Sequence, residues 1–252
     1  MVIEAGVRLG DAGRPRRASG PGGGPAYGRD SVAATARRGV RSGDLGRLRI
    51  GPVGVVWGAI GVAVSAMLVL HLIAADRLDP ATTTVSDYVS VPGGSVLLAL
   101  SALAIAVATA AVPVGLVRAR VPGAAGLCLP FGLGSAGLLA SIAFPTNAVG
   151  AVVSVDAVVH RYAAGVFFVS LPVAALLTLR RLPDRGVAWL TGLGVLAGVL
   201  FLASHVPLVF PDWSGARLVA ASLPRGLAER GLLLVDLLLL AGLAMAGRRV
   251  PR

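Results

Sequence analysis

The feature that most constrains this chain is a series of six apolar runs, each long enough to cross a membrane as a helix. A helix needs about 20 mostly apolar residues to span the hydrocarbon core of a bilayer, because it rises ~1.5 Å per residue. The runs show no alternation with a period of two, which favours helices over an outer-membrane barrel. We therefore predict an all-α, polytopic integral membrane bundle with spans at 52–75, 95–117, 123–144, 157–179, 187–210 and 227–246.

Composition agrees with a membrane protein and argues against nucleic acid as a partner. The chain is 56% hydrophobic and 14% charged, whereas a soluble domain usually has about 25% charged residues. The net charge is +11, and every basic residue apart from the histidines is an arginine. No loop interleaves basic and aromatic residues as a nucleic-acid surface would. We predict membrane lipids as partners, with a membrane protein as a further candidate, and leave the oligomeric state open.

The placement of the arginines predicts the orientation of the bundle. Eighteen of them lie before the first span or after the second, fourth and sixth spans, whereas five lie in the other loops. Counting only tail residues from Ser31 onward still leaves 13 against five. Cytoplasmic loops carry the excess of basic residues in membrane proteins. We therefore expect both termini in the cytoplasm of a multi-pass plasma-membrane protein, with the alternate loops on the outer face.

The segment before the first span is predicted to be a disordered cytoplasmic tail, residues 1–49. It is rich in Gly and Arg, contains GPGGGP at 20–25, and has too little apolar surface to offset the entropy of ordering. It also lacks the apolar run of a secretory signal. The transmembrane domain is expected at 50–247, followed by a basic cytoplasmic C-terminus at 248–252. A single cysteine, Cys128, excludes an intramolecular disulfide.

Three histidines are predicted to lie at one membrane surface. The topology places His71, His160 and His205 near the outer ends of the first, fourth and fifth spans. Asp156 precedes His160 by four residues, so the two side chains share a helix face. His71 and His205 can equally be interfacial residues that hydrogen-bond at headgroup depth.

The last span carries two carboxyl groups, Glu229 and Asp236. They are seven residues apart, which puts them on one helix face with Asp236 about 10 Å deeper. An ionisable group inside a span costs several kcal/mol unless it is paired or hydrated, so Asp236 should face the bundle interior. Arg225, Arg230 and the histidines are candidate partners. We predict a polar pocket open to the outer face, formed by Ser86, Asp87, Tyr88, Asn147, His160, Glu229, Arg230, Asp236, His71 and His205.

Two loop motifs near this surface have both a structural and a functional interpretation. In TVSDYVSVPGG, the residues Ser86 and Asp87 can bond the local backbone in a turn, or can cover polar groups at the mouth of the pocket. In FPTN, Pro145 removes a backbone donor and Asn147 suits a turn, so the motif can simply end the third helix.

The order of these motifs resembles a known family. Six spans, SDY after the first, FPTN closing the third, a histidine opening the fourth and GLAERGLLL opening the sixth are similar to the bacterial and archaeal membrane proteins of domain-of-unknown-function family 998. The resemblance covers about Pro52 to Ala246, implies a six-span fold and supplies no activity. The family more often carries an amide where this chain has Glu229. The corresponding positions are Ser86, Asp87, Tyr88, Phe144, Pro145, Thr146, His160, Glu229 and Arg230.

Three functions are compatible with this pattern. A non-catalytic protein whose outward pocket binds a lipid or a partner helix needs the fewest special geometries. A membrane-embedded hydrolase of a lipid-like substrate would use His160, Asp87 and Asp156 as metal-binding or acid/base groups. No dense ligand spacing such as HExxH occurs, so we predict no cofactor and keep zinc only as a candidate. A small-solute or proton-coupled transporter would use Asp236 and Glu229, because intramembrane carboxylates mark ion routes.

Overall fold

The computed structural model describes residues 51–147 and 151–249, so the predicted tail at 1–49 and the end of the C-terminus at 250–252 lie outside the described residues. Within these ranges the chain is helical, without strands, and six helices are long and apolar enough to span a membrane. The predicted six-span fold is confirmed. The helices are α1 (Pro52–Ala74), α2 (Gly94–Arg118), α3 (Cys128–Ala143), α4 (Val155–Leu179), α5 (Arg185–Val209), a short α6 (Ala216–Ser222) and α7 (Arg225–Ala246).

Capping residues explain where two of the spans begin. The Ser154 hydroxyl accepts a hydrogen bond from the first turn of α4, and the Asp184 carboxylate accepts one from the first turn of α5. Side-chain caps of this kind satisfy backbone N–H groups that have no partner within the helix. Both helices start two residues before the predicted positions, 157 and 187, because the caps precede the apolar runs.

The helices pack in chain order, and α7 closes the bundle. Each of α1 to α5 packs against the next, while α7 packs against α5 and also contacts α1, α2 and α4. The apolar window of α7 is 44% buried, the largest share of the six, whereas those of α1 and α5 are only 22% and 17% buried. Large exposed side chains such as Leu72 and Trp189 cover the outside of α1 and α5, as expected for helices that face lipid.

The two ends of the bundle differ in charge. At one end, which we call the arginine end, Asp184 is paired with Arg249 at 2.7 Å. The pKa of the Asp184 carboxyl lies below its usual value, mainly because the backbone N–H of Val187 donates a hydrogen bond to it and also because of the positive charge of Arg249. At the other end, which we call the loop end, lie the longer connections 75–93 and 210–224 and the described parts, 144–147 and 151–154, of the connection between α3 and α4. The described arginine end also carries Arg118, Arg120, Arg180, Arg181, Arg185 and Arg248.

Buried hydroxyl groups within the spans donate to backbone carbonyls. Thr109, Thr178 and Thr191 each donate to the carbonyl four residues earlier in the same helix, at 2.7 to 2.8 Å. Ser101 of α2 donates to a carbonyl of α1, and Ser135 of α3 donates to one of α2. These bonds satisfy polar groups that hydrocarbon cannot satisfy.

Candidate functional site

Arg230 of α7 is the centre of a hydrogen-bond cluster at the loop end. Its Nε donates to Nε2 of His71 at 3.0 Å, and its Nη2 donates to the hydroxyl of Tyr88 at 2.9 Å. Its Nη1 donates to the carbonyls of Thr83 at 2.8 Å and Gly226 at 2.9 Å. Four of the five guanidinium N–H groups are therefore used. The cluster joins α1, α7 and the connection between α1 and α2.

The hydrogen bonds of His71 define how its ring takes part. Its Nδ1 lies 2.8 Å from the carbonyl oxygen of Met67, which only accepts, while its Nε2 faces Arg230, which only donates. The tautomer that fits both partners carries its hydrogen on Nδ1 and is uncharged. The ring also packs against Tyr88, with centroids 5.0 Å apart. His71 is thus an acceptor for the half-buried arginine.

Glu229 and Asp87 hold the first turn of a 3₁₀ helix, Val85–Ser90, that lies within the α1–α2 connection. The Oε2 atom of Glu229 accepts from the first backbone N–H of this helix at 2.5 Å. Asp87 accepts from the backbone N–H and the hydroxyl of Thr84, at 3.0 and 2.6 Å, and forms a capping box. The Ser86 hydroxyl lies 3.1 Å from that of Thr84. Two carboxylates therefore satisfy the N-terminus of one short helix.

Gly226 lets the connection lie directly on α7. A Cβ at this position would overlap the carbonyl oxygens of Pro80, Ala81 and Thr83. The backbone N–H of Leu227 donates to the carbonyl of Ala81 at 3.1 Å. Only glycine allows such a close approach of two backbones. Glu229 and Arg230 of the GLAER motif were predicted as site residues, whereas Gly226 was not, although a glycine three residues before Glu229 can signal a close backbone contact.

Asp79 orders the start of the same connection and was also missed. Its carboxylate accepts from the hydroxyl of Thr82 at 2.7 Å and from the backbone N–H of Ala81 at 3.1 Å. The Thr82 hydroxyl, and then the Ala81 N–H, hold the pKa of Asp79 below its ordinary value. The stabilisation is therefore present above the ordinary pKa of an aspartate and is lost as the pH falls through the lowered pKa.

His160 and Asn147 belong to a second polar group, between α3 and α4. Nδ1 of His160 lies 2.9 Å from the carbonyl oxygen of Ser141 and 3.1 Å from that of Phe144. Oδ1 of Asn147 accepts from the backbone N–H of Ser154 at 2.9 Å and from its hydroxyl at 3.2 Å. The histidine thus caps the end of α3, while the asparagine closes the following loop. FPTN and His160 act as one local unit.

The other predicted site residues lie outside both groups. His205 bonds the carbonyl of Phe201 within α5, at 2.9 Å. Asp156 is exposed in the first turn of α4, and Asp236 is buried in the middle of α7. Among the described residues, no side-chain hydrogen bond joins the Arg230 cluster to the His160–Asn147 group. The structure therefore brings Ser86, Asp87, Tyr88, His71, Glu229 and Arg230 together and places His160 and Asn147 in a separate group.

The chemistry available at the loop end follows from these bonds. Within 51–147 and 151–249, no three His, Cys, Asp or Glu side chains are grouped so as to hold a metal ion. Nε2 of His71 accepts from Arg230, which occupies the atom through which it would bind a metal. Tyr88 is 1% exposed and Glu229 is 7% exposed, so neither is presented to solvent. The Arg230 cluster acts as a clamp between helices and loop.

Comparisons with known proteins give a family and no activity. Residues 33–246 match the model of the family described as Protein of unknown function (DUF998). The matched region includes all six spans and both polar groups. No curated protein matches the chain, and no solved structure matches it.

We expect the substitution Arg230→Lys to destabilise the bundle, because one ammonium group cannot reach acceptors on three segments at once. The free energy of unfolding should fall by about 3 kcal/mol, since hydrogen bonds to charged groups contribute ~1.5–3 kcal/mol each. Unfolding of the purified protein in mixed micelles by increasing SDS measures this change. The matched control is Arg225→Lys on the same helix, which should change the free energy by less than about 0.5 kcal/mol. Equal effects of the two substitutions would contradict the clamp.

Proposed function

The chain belongs to the DUF998 family, and we propose that it is a non-catalytic integral membrane protein that binds the acyl chain of a membrane lipid. The observation that supports this function is an open groove between α1 and α2. The groove lies beside the helices and the loop that the Arg230 cluster holds together. At the loop end Arg230 hydrogen-bonds His71 and Tyr88, and Glu229 bonds the start of the short 3₁₀ helix. These bonds suit a scaffold, and the groove supplies the binding surface.

The groove is a shallow, open depression with a volume of about 520 Å³. Its wall is apolar except for one hydroxyl, which suits a hydrocarbon chain. The lining residues are Gly58, Gly61, Val62, Ser65, Ala66, Val69, Leu97 and Leu100.

Glycines make the groove on α1. A Cβ at Gly58 or Gly61 would meet no heavy atom within 4 Å, so these positions leave open space on the surface of the helix. Both glycines and Ser65 are exposed. In a membrane, space of this kind beside a helix is filled by lipid or by another helix.

The length of the groove favours a lipid chain as the occupant. From Gly58 to Val69 the helix rises eleven residues, or about 16 Å, which is close to half the ~30 Å core of a bilayer. A partner helix would pack along most of that core. The stripe of small residues instead ends at Leu68 and Leu72, whose side chains are 61% and 77% exposed. A flexible chain fits this short recess better than a rigid helix.

The Arg230 cluster is connected to one wall of the groove by side-chain packing. Leu97, which lines the groove, also packs against the apolar cluster of Leu70, Ala74, Tyr88 and Val91. The hydroxyl of Tyr88 in that cluster accepts from Arg230. The clamp therefore holds the start of α2, and with it one wall of the groove.

We expect bound lipid to be lost in the variant Gly61→Leu, because the leucine side chain would fill the groove without touching the protein core. Native mass spectrometry of the detergent-purified protein, after incubation with phosphatidylethanolamine, should show one retained phospholipid for the wild type and none for the variant. The control is Gly132→Leu in α3, where a Cβ also meets no atom within 4 Å outside the groove.

An unchanged lipid count in Gly61→Leu, or the same loss in Gly132→Leu, would contradict the lipid site. Release of a copurifying membrane protein by Gly61→Leu, with the lipid count unchanged, would instead identify a partner helix as the occupant.

We further propose that the arginine end faces the cytoplasm and that the membrane is the plasma membrane. The described part of that end carries seven arginines and a single carboxylate, Asp184. The loop end has six carboxylates and five arginines. Over the full sequence the arginines number 18 on the side of the arginine end and five on the other side, and such a bias of basic residues is the signal that orients helices during insertion. The groove and the Arg230 cluster would then be held beneath the outer surface.

The native cysteine allows a direct test of this orientation. Cys128 is exposed at the arginine end, at the start of α3. A membrane-impermeant maleimide should leave it unlabelled in intact cells and label it in inverted membrane vesicles. In Cys128→Ser combined with Arg217→Cys, a substitution at an exposed residue of the loop end, the pattern should reverse. Labelling of Cys128 in intact cells would overturn the orientation.

A further inference from the structure

Asp236 differs from the other buried polar side chains of the spans. It lies at the midpoint of α7, is 1% exposed, and neither carboxyl oxygen has a hydrogen-bond partner in the part of the chain that the structure describes. The buried hydroxyls of Ser101, Thr109, Ser135 and Thr191 all have one. Asp236 is thus a carboxyl group without a partner near the middle of the membrane.

Across residues 51–147 and 151–249, no cation compensates this carboxyl group. The ion pair found there joins Arg249 to Asp184 at the arginine end. Arg230 lies six residues before Asp236, and its guanidinium group bonds residues at the loop end. On the elements packed against α7, the side chains of His71, Asp87, Tyr88, His160 and His205 lie at the loop end and hydrogen-bond other groups. The arginines of these elements at the other end of the bundle are Arg118, Arg185, Arg248 and Arg249.

The physical cost of a buried charge decides the state of this group. An isolated carboxylate transferred from water to an apolar interior costs far more free energy than a folded protein can offset, so such a group takes up a proton instead. We propose that Asp236 is a proton-binding site of the bundle and that its proton is exchanged from the loop end by way of Glu229. This inference is independent of the proposed lipid groove.

The buried face of α7 indicates the direction of exchange. Glu229, Leu232 and Asp236 follow one another on this face, and all three are buried. Glu229 lies about 10 Å toward the loop end, with only Leu232 as a buried residue of that face between the two carboxyls. Toward the arginine end the face continues as Leu239, Leu240 and Leu243, each fully buried. A proton that leaves Asp236 can therefore be accepted by Glu229 toward the loop end, whereas toward the arginine end this face offers only apolar side chains.

Infrared spectroscopy of the full-length protein in liposomes tests for the bound proton. At neutral pH we expect the carbonyl-stretch band of a protonated carboxylic acid, which shifts when D₂O replaces H₂O. One such band should be lost in Asp236→Asn and retained in Asp156→Asn, which changes an exposed aspartate. Glu229→Gln should also retain the Asp236 band, so this variant distinguishes the band of Asp236 from any band of Glu229.

Two outcomes would overturn the proton site. The first is a wild type without any acid band at neutral pH, a measurement that does not depend on whether a variant folds. The second is an Asp236→Asn spectrum that keeps every acid band of the wild type. Because Asn mimics the uncharged acid in size, the variant should also keep the thermal stability of the wild type, whereas a large loss would indicate a charged, paired carboxylate.

A matched pair of leucines tests the direction of exchange. Leu232 and Leu240 lie four residues before and after Asp236, and both are fully buried. After mixing with D₂O, the Asp236 band should shift roughly tenfold faster in Leu232→Ala. The shorter side chain leaves space between the carboxyl groups of Asp236 and Glu229, through which the proton is exchanged. The rate in Leu240→Ala should stay within about twofold of the wild type. Equal acceleration in both variants, or none in either, would contradict exchange through Glu229.

Discussion

Hydrocarbon offers no hydrogen-bond partners, so a chain that crosses it six times must satisfy its polar groups from within. The described residues do so in two ways. Hydroxyls inside the spans donate to nearby carbonyls, and the charged groups gather where loop backbone is available. Arg230 is the clearest case, because its guanidinium group has acceptors on α1, on α7 and on the α1–α2 connection. The packing of that connection over α7 follows from this requirement.

Two of the sequence motifs, TVSDYVS and GLAER, pack against each other in the structure. TVSDYVS forms a short 3₁₀ helix with its own capping box, and GLAER supplies a glycine for close approach, a carboxylate for the helix N-terminus and an arginine for Tyr88. Each motif has donors or acceptors that the other satisfies. This arrangement gives the aspartate and tyrosine of the loop a structural role. It also explains how an amide could replace Glu229, since an amide oxygen accepts from a backbone N–H equally well.

Asp236 is an exception to this pattern, because within the described residues its buried carboxyl oxygens have no hydrogen-bond partner. A carboxyl group in a packed apolar core lowers stability unless it is neutral. The groove on α1 and α2 is a second departure from simple packing, because its glycines leave space that a larger residue would fill. One feature is buried and polar, the other is exposed and apolar.

The sequence by itself determined the features that depend on local composition. Runs of apolar residues predict the starts of the six spans to within two residues. Only the tertiary structure decided which polar residues hydrogen-bond to which partners. Val85 and Glu229 are 144 positions apart, and His160 bonds α3 rather than Arg230. Such pairings depend on which helices are neighbours and which faces they turn inward, and hydropathy is nearly uniform around these helices, so it carries no information about either.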